Sequence, residues 1–345
     1  NKSKPARTNR PSSGRVRMHD VAREAGVSAQ TVSRVIRSPG LVKEETRNLV
    51  RATIERLGYV PDSTASDLAS NRSRFVAAVI PSVSMSIYED AVRALSSELL
   101  AAGYQLLLGN TEYSLDSEEA TIFAFLGRRP EAMVVVGVDH TDRAKALMRQ
   151  SGIPIIETMD LTDTPIDTVV GYSNKVATAT LTRLLLTRGY KRIVFVGGEE
   201  EARGIERRQG YLQAMAEVDL SALSLETGDH PSLMSAGISG LKKALELQPR
   251  TDAIIFFNDA SAAGAILECQ RAGIQVPGDI AICGFGDFEV AAHLNPGLTT
   301  VRILSHDIGK RAAQVIVDRL SGADPHPKII DIGFEIIERC SIREK

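Results

Sequence analysis

The stretch Met18-His-Asp-Val-Ala-Arg-Glu-Ala-Gly-Val-Ser-Ala-Gln-Thr-Val-Ser-Arg-Val-Ile36 holds two short helical periods divided by a glycine. Val21, Ala22 and Ala25 recur at helical spacing before Gly26, and Val32, Val35 and Ile36 do so after it. Gly26 supplies the turn and Ser28 suits the N-cap of the second helix. Val21, Ala22, Val27, Val32 and Val35 are small enough for two helices to cross closely. This is the grammar of a helix-turn-helix, whose second helix enters the major groove of DNA. Gln30 and Arg34, at i and i+4, fall on one face away from that core, and they are the side-chain types that read adenine and guanine edges in bidentate fashion. Ser28, Thr31 and Ser33 carry short hydroxyls suited to phosphate contacts that fix register. His19 suits either a phosphate contact or an ordinary surface position.

A helical hairpin with a solvated polar face shares part of this pattern, and the flanking charge separates the two readings. Residues 1–74 carry 15 Lys/Arg against 7 Asp/Glu, a net of +8, whereas residues 75–345 sum to −10. A formal total of −2 thus hides a basic head on an acidic body. Such a head meets a polyanion. Residues 1–16, basic and polar with no hydrophobic period, read as a disordered arm. Leu49, Val50, Ile54 and Leu57 mark a third helix that Gly58 ends, so residues 17–61 form a three-helix module. Residues 62–74, opened by the break at Pro61, read as a hinge or linker.

From Phe75 onward the pattern changes. Short apolar runs recur at Phe75–Ile80, Gln105–Leu108, Ala132–Val138, Ile153–Ile156, Thr168–Val170, Ile193–Val196, Ala253–Phe257 and Ile280–Phe285. Amphipathic segments of helical spacing fill most gaps between them. Strands alternating with helices imply βαβ units and parallel sheets. The series is too long for one sheet of ordinary width, and its halves begin alike near Phe75 and Ile193. The expected fold is α/β: two doubly wound parallel-sheet subdomains over residues 75–345 with a cleft between them. Ligands are expected at the carboxyl ends of the strands.

Several function classes fall away. No apolar run approaches the roughly 20 residues that span a bilayer, so no membrane is expected. The basic first 15 residues lead into no hydrophobic core of a secretory signal, which argues for a cytoplasmic chain and against a sugar-binding transport protein. Cys269, Cys283 and Cys340 show no C-x-x-C spacing and read as small hydrophobes rather than as a zinc or disulfide set. No metal or cofactor is expected. A nicotinamide-dependent enzyme would need a G-x-G-x-x-G turn, yet Ile193–Val196 is followed by Gly197-Gly-Glu-Glu-Glu201, whose acids would repel a pyrophosphate. No P-loop, G-x-S-x-G or H-E-x-x-H occurs.

Asp20-Val-Ala-x-x-Ala-Gly-Val-Ser-x-x-Thr-Val-Ser-Arg-Val resembles the amino-terminal signature of the lactose-repressor/galactose-repressor family of bacterial transcription regulators. Leu57-Gly-Tyr-Val-Pro61, Gly189-Tyr-Lys-Arg-Ile193, Phe257-Asn-Asp259, Gln275-Val-Pro-Gly-Asp279 and Pro296-Gly-Leu-Thr-Thr-Val301 extend the resemblance along the whole chain. It implies a periplasmic-binding-protein type of body, a homodimer on a pseudo-palindromic operator, and no enzymatic activity. Leu68 matches the hinge leucine that wedges into the minor groove, where apolar insertion bends the duplex; a linker leucine packing on its own head is the alternative. Asp62 stands where Asn is common, and Asp67 sets a negative charge beside the wedge. Ala29 is a small residue at a base-reading position, which leaves most direct readout to Gln30 and Arg34.

Ile155-Ile-Glu-Thr-Met-Asp160, Pro165-Ile-Asp-Thr-Val-Val-Gly-Tyr172 and Asp331-Ile-Gly-Phe334 are similar to the gluconate-responsive branch. The resemblance implies a sugar-acid effector: gluconate, a ketogluconate or a phosphorylated relative. A regulator of the same family responding to a neutral sugar or a nucleoside is the alternative. Arg207 matches the family position that reaches the effector, and a guanidinium suits bidentate carboxylate binding. Arg203 lies about one turn earlier. Asn258 and Asp287 follow strand ends, and Tyr88 matches a pocket aromatic, although Gly286 occupies the place where the family often has an acid. A surface arginine, helix caps at Asn258 and Asp287, and a core tyrosine are the bland counterparts.

Overall fold

The computed structural model describes residues 16–60, 72–83, 86–198, 202–228, 232–248, 250–323 and 326–344. The expected basic arm up to residue 15, and Asp62, Asp67 and Leu68 of the hinge, lie outside the described residues. The chain divides into two compact units, residues 1–73 and 74–345.

The first unit holds α1 (Met18–Glu24), α2 (Ala29–Arg37) and α3 (Glu44–Leu57). Ser28 caps α2, its Oγ accepting the Thr31 N–H at 3.1 Å. Gly26 takes φ 64°, a left-handed conformation that side chains disfavour, and so turns the chain tightly between α1 and α2. Val21, Ala22, Ala25, Val32, Val35, Val50 and Tyr59 are buried together. An Arg56–Glu24 ion pair at 3.0 Å ties α3 to α1 at the surface.

The second unit is built on two parallel sheets. The first has strand order β11-β5-β4-β3-β1-β2 and the second β7-β6-β8-β9. These are β1 (Phe75–Ile80), β2 (Gln105–Asn110), β3 (Ala132–Val136), β4 (Ile155–Thr158), β5 (Thr168–Gly171), β6 (Ile193–Val196), β7 (Leu223–Leu225), β8 (Ala253–Phe256), β9 (Ala281–Cys283) and β11 (Ile329–Asp331). β1, β3, β6 and β8 are almost wholly apolar and buried, as expected of strands covered by helices on both faces. The covering helices are α4 (Ser86–Ala101), α5 (Leu115–Leu126), α6 (Asp142–Gln150) and α12 (Ser305–Ser321) in the first lobe. In the second lobe they are α7 (Asn174–Thr187), α8 (Ala202–Ala216), α9 (Leu233–Leu245), α10 (Asp259–Ala272) and the short α11 (Glu289–His293).

β10 (Thr300–Ile303) and β12 (Phe334–Ile337) pair antiparallel and continue the second lobe through bridges to Cys283 and Gly286. The chain crosses between lobes three times: from β5 to α7, from β10 to α12, and from β11 to β12. The two expected subdomains are therefore interwoven, with β11 returning to the edge of the first sheet beside β5. Cys269 and Cys283 are buried as read from sequence, but Cys340 is exposed, because it lies in the turn after β12. No helix of the described residues is long and apolar enough to cross a membrane.

Candidate nucleic-acid interface and effector cavity

In the head, Val32 and Val35 face inward, which turns Gln30 and Arg34 to solvent on the opposite side of α2. Ser33 and Thr31 are half-buried at the margins of that exposed face, and His19 is exposed on α1. Ser28 spends its oxygen on the cap, with its hydroxyl 2.9 Å from the Thr31 hydroxyl. Ala29 is partly buried against the head core. The structure thus gathers the predicted DNA-facing residues of α2 at one surface, with Ser28 and Ala29 also serving the fold.

In the body, a cavity of about 540 Å3 opens between the lobes. Its second-lobe wall forms where the strand order reverses between β6 and β8, the usual ligand crevice of an open parallel sheet. Gly197 and Gly198 turn away from β6 with φ 89° and 78°. Gly210 lets α8 cross α7 at backbone contact: a Cβ there would lie 2.0 Å from the Lys175 carbonyl oxygen. That close crossing carries Arg207 to the first turn of α7.

Arg207 is buried and fully oriented. Its Nε donates to Asn174 Oδ1 at 2.8 Å, Nη1 to the Phe257 carbonyl at 2.8 Å and Nη2 to the Tyr172 hydroxyl at 3.3 Å. The guanidinium carbon sits 3.7 Å from the centre of the Phe285 ring. A guanidinium has five N–H groups, so three bonds to neutral acceptors leave two donors and an undiminished charge for the cavity. Arg203 lies over the Tyr88 ring at 5.6 Å, a contact from the second lobe to the first, and both residues line the cavity. Asn258 Oδ1 accepts the Ser261 N–H at 2.9 Å and caps α10, while its Nδ2 is buried without a partner among the described residues. The cap fixes which way the amide faces and leaves Nδ2 buried within a residue that lines the cavity.

Asp287 does not share that wall. Its carboxylate meets Arg302 Nε at 2.7 Å and Arg339 Nη2 at 2.7 Å, and its backbone takes φ 51°. Gly286, at φ 129°, redirects the chain after β9 so that the acid points into this arginine pair instead of the cavity. Neighbouring Asp259 accepts from Thr300 Oγ1 at 2.6 Å and from Phe288 N–H at 2.7 Å, and burial pushes its carboxyl up to about 7.

Asn174 and Asp160 carry roles that the sequence reading did not assign. Asn174 Nδ2 donates to the Met159 carbonyl and to Asp160 Oδ1, each at 3.4 Å, while its Oδ1 holds Arg207 and the Tyr172 hydroxyl. One buried amide thereby connects the loop after β4 in the first lobe with α8 in the second. Burial holds the Asp160 carboxyl above its ordinary range, while the Leu161 N–H and the Arg203 charge pull it back. Among the described residues no cluster of His, Cys, Asp and Glu is arranged to hold a metal ion.

Residues 17–62 match the bacterial regulatory proteins of the lacI family, and residues 182–342 match the periplasmic binding protein-like domain. The transcriptional regulator GntR of Pseudomonas aeruginosa is 33% identical over 96% of this chain and 97% of its own length. The chain belongs to the lacI family. The regulator IdnR of Escherichia coli is 30% identical over 93% of this chain and 97% of its own. A lacI-family regulator from Silicibacter pomeroyi has a solved structure that superposes with a TM-score of 0.87 at 31% identity, covering 94% of this chain and 98% of that one. Membership makes the head a DNA-binding domain and the chain a transcriptional regulator rather than an enzyme.

Proposed function

We propose that this regulator is a cytoplasmic, nucleoid-associated repressor that binds a pseudo-palindromic operator as a homodimer and is controlled by a sugar acid held between its lobes. The effector is gluconate, a ketogluconate or a phosphorylated relative. The observation that carries this reading is the grouping of Arg207 and Arg203 with Asn258, whose Nδ2 has no partner among the described residues, in one wall of the cavity. An acidic body needs local positive charge to bind an acidic ligand, and this wall supplies it. Relatives bearing the names GntR and IdnR lend the sugar-acid assignment further support. Tyr88 contributes an aromatic floor beneath Arg203.

Residues 17–61 form the DNA-binding module in this reading, residues 62–74 the hinge with Leu68 as wedge, and residues 75–345 the effector and dimerisation domain. Gln30 and Arg34 read bases, whereas His19, Ser28, Thr31 and Ser33 hold the backbone and Ala29 allows close approach. The effector shifts the population toward a lobe arrangement whose hinges no longer suit the two half-sites. A thermal-shift screen of the full chain against gluconate, ketogluconates, phosphogluconate and neutral hexoses tests the assignment. Stabilisation by sugar acids is expected; stabilisation by a neutral hexose alone would overturn it.

A further inference from the structure

The cavity at Arg207 is part of a larger space. A second cavity of about 120 Å3 adjoins it, and Tyr113 and Arg203 stand in the walls of both. This chamber lies at the carboxyl ends of the first sheet, where Thr111 follows β2, Gly137 follows β3 and Asp160 stands two residues after β4. The strand order of that sheet reverses between β1 and β3. Each lobe therefore contributes its own switch-point crevice to one joint space.

The two ends differ in charge. Toward the second lobe stand Arg207, Arg203 and the buried, unpartnered Nδ2 of Asn258. Toward the first lobe the chamber is lined by the carboxylates of Glu118, Asp139 and Asp160 and the hydroxyls of Thr111 and Ser114. His140 offsets part of this charge: its Nδ1 is 2.6 Å from Glu118 and its Nε2 is 3.7 Å from Glu157, so two buried acids share one imidazole. The amino end of α5 opens on the same chamber, but its first turn carries Asp116 and Glu118, which counter the helix dipole. Arg203 faces these acids from the junction of the two cavities.

We propose that the effector lies across the lobes with a single anionic end at Arg207 and Arg203 and an uncharged, hydroxyl-rich tail in the acid-lined chamber, so that unphosphorylated sugar acids are selected over terminally phosphorylated ones. The inference rests on the sugar-acid reading above. Carboxylates accept the hydrogen bonds that polyol hydroxyls donate; the Thr111 hydroxyl already donates to the Ile80 carbonyl and the Ser114 oxygen caps α5. A terminal phosphate brings roughly −1.5 to −2 charges and strong acceptor oxygens. It finds acceptors of its own sign there, and such like-charge contacts are strongly unfavourable.

Titration calorimetry of the full chain with gluconate, 6-phosphogluconate and glucitol tests this. Gluconate is expected to bind at least about tenfold more tightly than its phosphate, and Asp139→Asn is expected to narrow that ratio, with Asp160→Asn as a second variant. Equal or tighter binding of 6-phosphogluconate would overturn the charge selection and leave the sugar-acid reading standing. A ratio unchanged in both variants would remove the chamber from the site. Binding of glucitol with neither acid would overturn both readings.

Discussion

Arg207 of α8 and Asn174 at the start of α7 form one donor–acceptor pair, Nε to Oδ1 at 2.8 Å, and the same amide reaches Met159 and Asp160 of the other lobe. Arg207 is thus held by a residue that also bonds to the first lobe. In the proposed population shift, a ligand that moves Arg207 would change what Asn174 can bridge.

Asn174→Ala removes that acceptor and leaves the Nε proton of Arg207 buried without a partner. Hydrogen bonds to charged groups contribute about 1.5 to 3 kcal/mol. Urea unfolding is expected to show a loss of this order, and calorimetry an effector affinity at least about tenfold weaker although Asn174 is absent from the cavity wall. Unchanged affinity in a destabilised protein would reduce Asn174 to a purely structural residue.

Gln30→Ala is expected to relax base preference at one position of each half-site by about 1 to 3 kcal/mol, read from competition binding against single-base operator variants. The expectation follows from its exposure on the face of α2 opposite Val32 and Val35. A uniform weakening across all operator variants would place Gln30 on the phosphate backbone instead.

Stability should depend on pH through His140. Burial lowers its basicity, but hydrogen bonds and charges from Glu118 and Glu157 outweigh that and raise it from 6.5 to about 9. A proton held more tightly in the folded state stabilises it fully below about pH 6.5, and the contribution is lost as pH rises through 9. A shift of this size corresponds to something on the order of 3 kcal/mol. Asp259, raised to about 7 by burial, adds a separate decline at lower pH. Subtracting the urea-stability profile of His140→Gln removes that common part. The difference should fall between pH 6.5 and 9; a flat difference would show that His140 is not charged in the fold.

The head was legible because its information is local. Gly26, the Ser28 cap and the small residues of two crossing helices all lie within one 19-residue stretch. β7 was missed because three residues, Leu223–Leu225, show no period; the strand is held by the Tyr211 hydroxyl, which takes the Leu223 N–H at 2.8 Å and donates to the Ile193 carbonyl. Asp287 was drawn into the site by its place after a strand. What removes it is Arg339 in the tail after β12, a long-range partner no local pattern announces. Asn174 escaped for the same reason, since its partners come from residues 159, 160, 172 and 207.

Asn258 offers the sharpest separation of fold from function, because its two amide atoms do different work. Oδ1 caps α10 at 2.9 Å from the Ser261 N–H, and Nδ2 is buried and unpartnered among the described residues. Asn258→Asp keeps an oxygen for the cap, since aspartate is as good an N-cap as asparagine. It replaces the buried Nδ2 donor with a carboxylate oxygen, whose charge repels an anionic effector. The variant keeps the cap but places a carboxyl at a buried position, so urea unfolding should show a loss of about 1 to 3 kcal/mol, and gluconate should bind at least about tenfold more weakly in calorimetry. Asn258→Ser, which caps but offers a shorter donor, should fall between the two. If Asn258→Asp bound the sugar acid as tightly as the parent, the amide would be a helix cap and nothing more, and the donor set for the carboxylate would reduce to the two arginines.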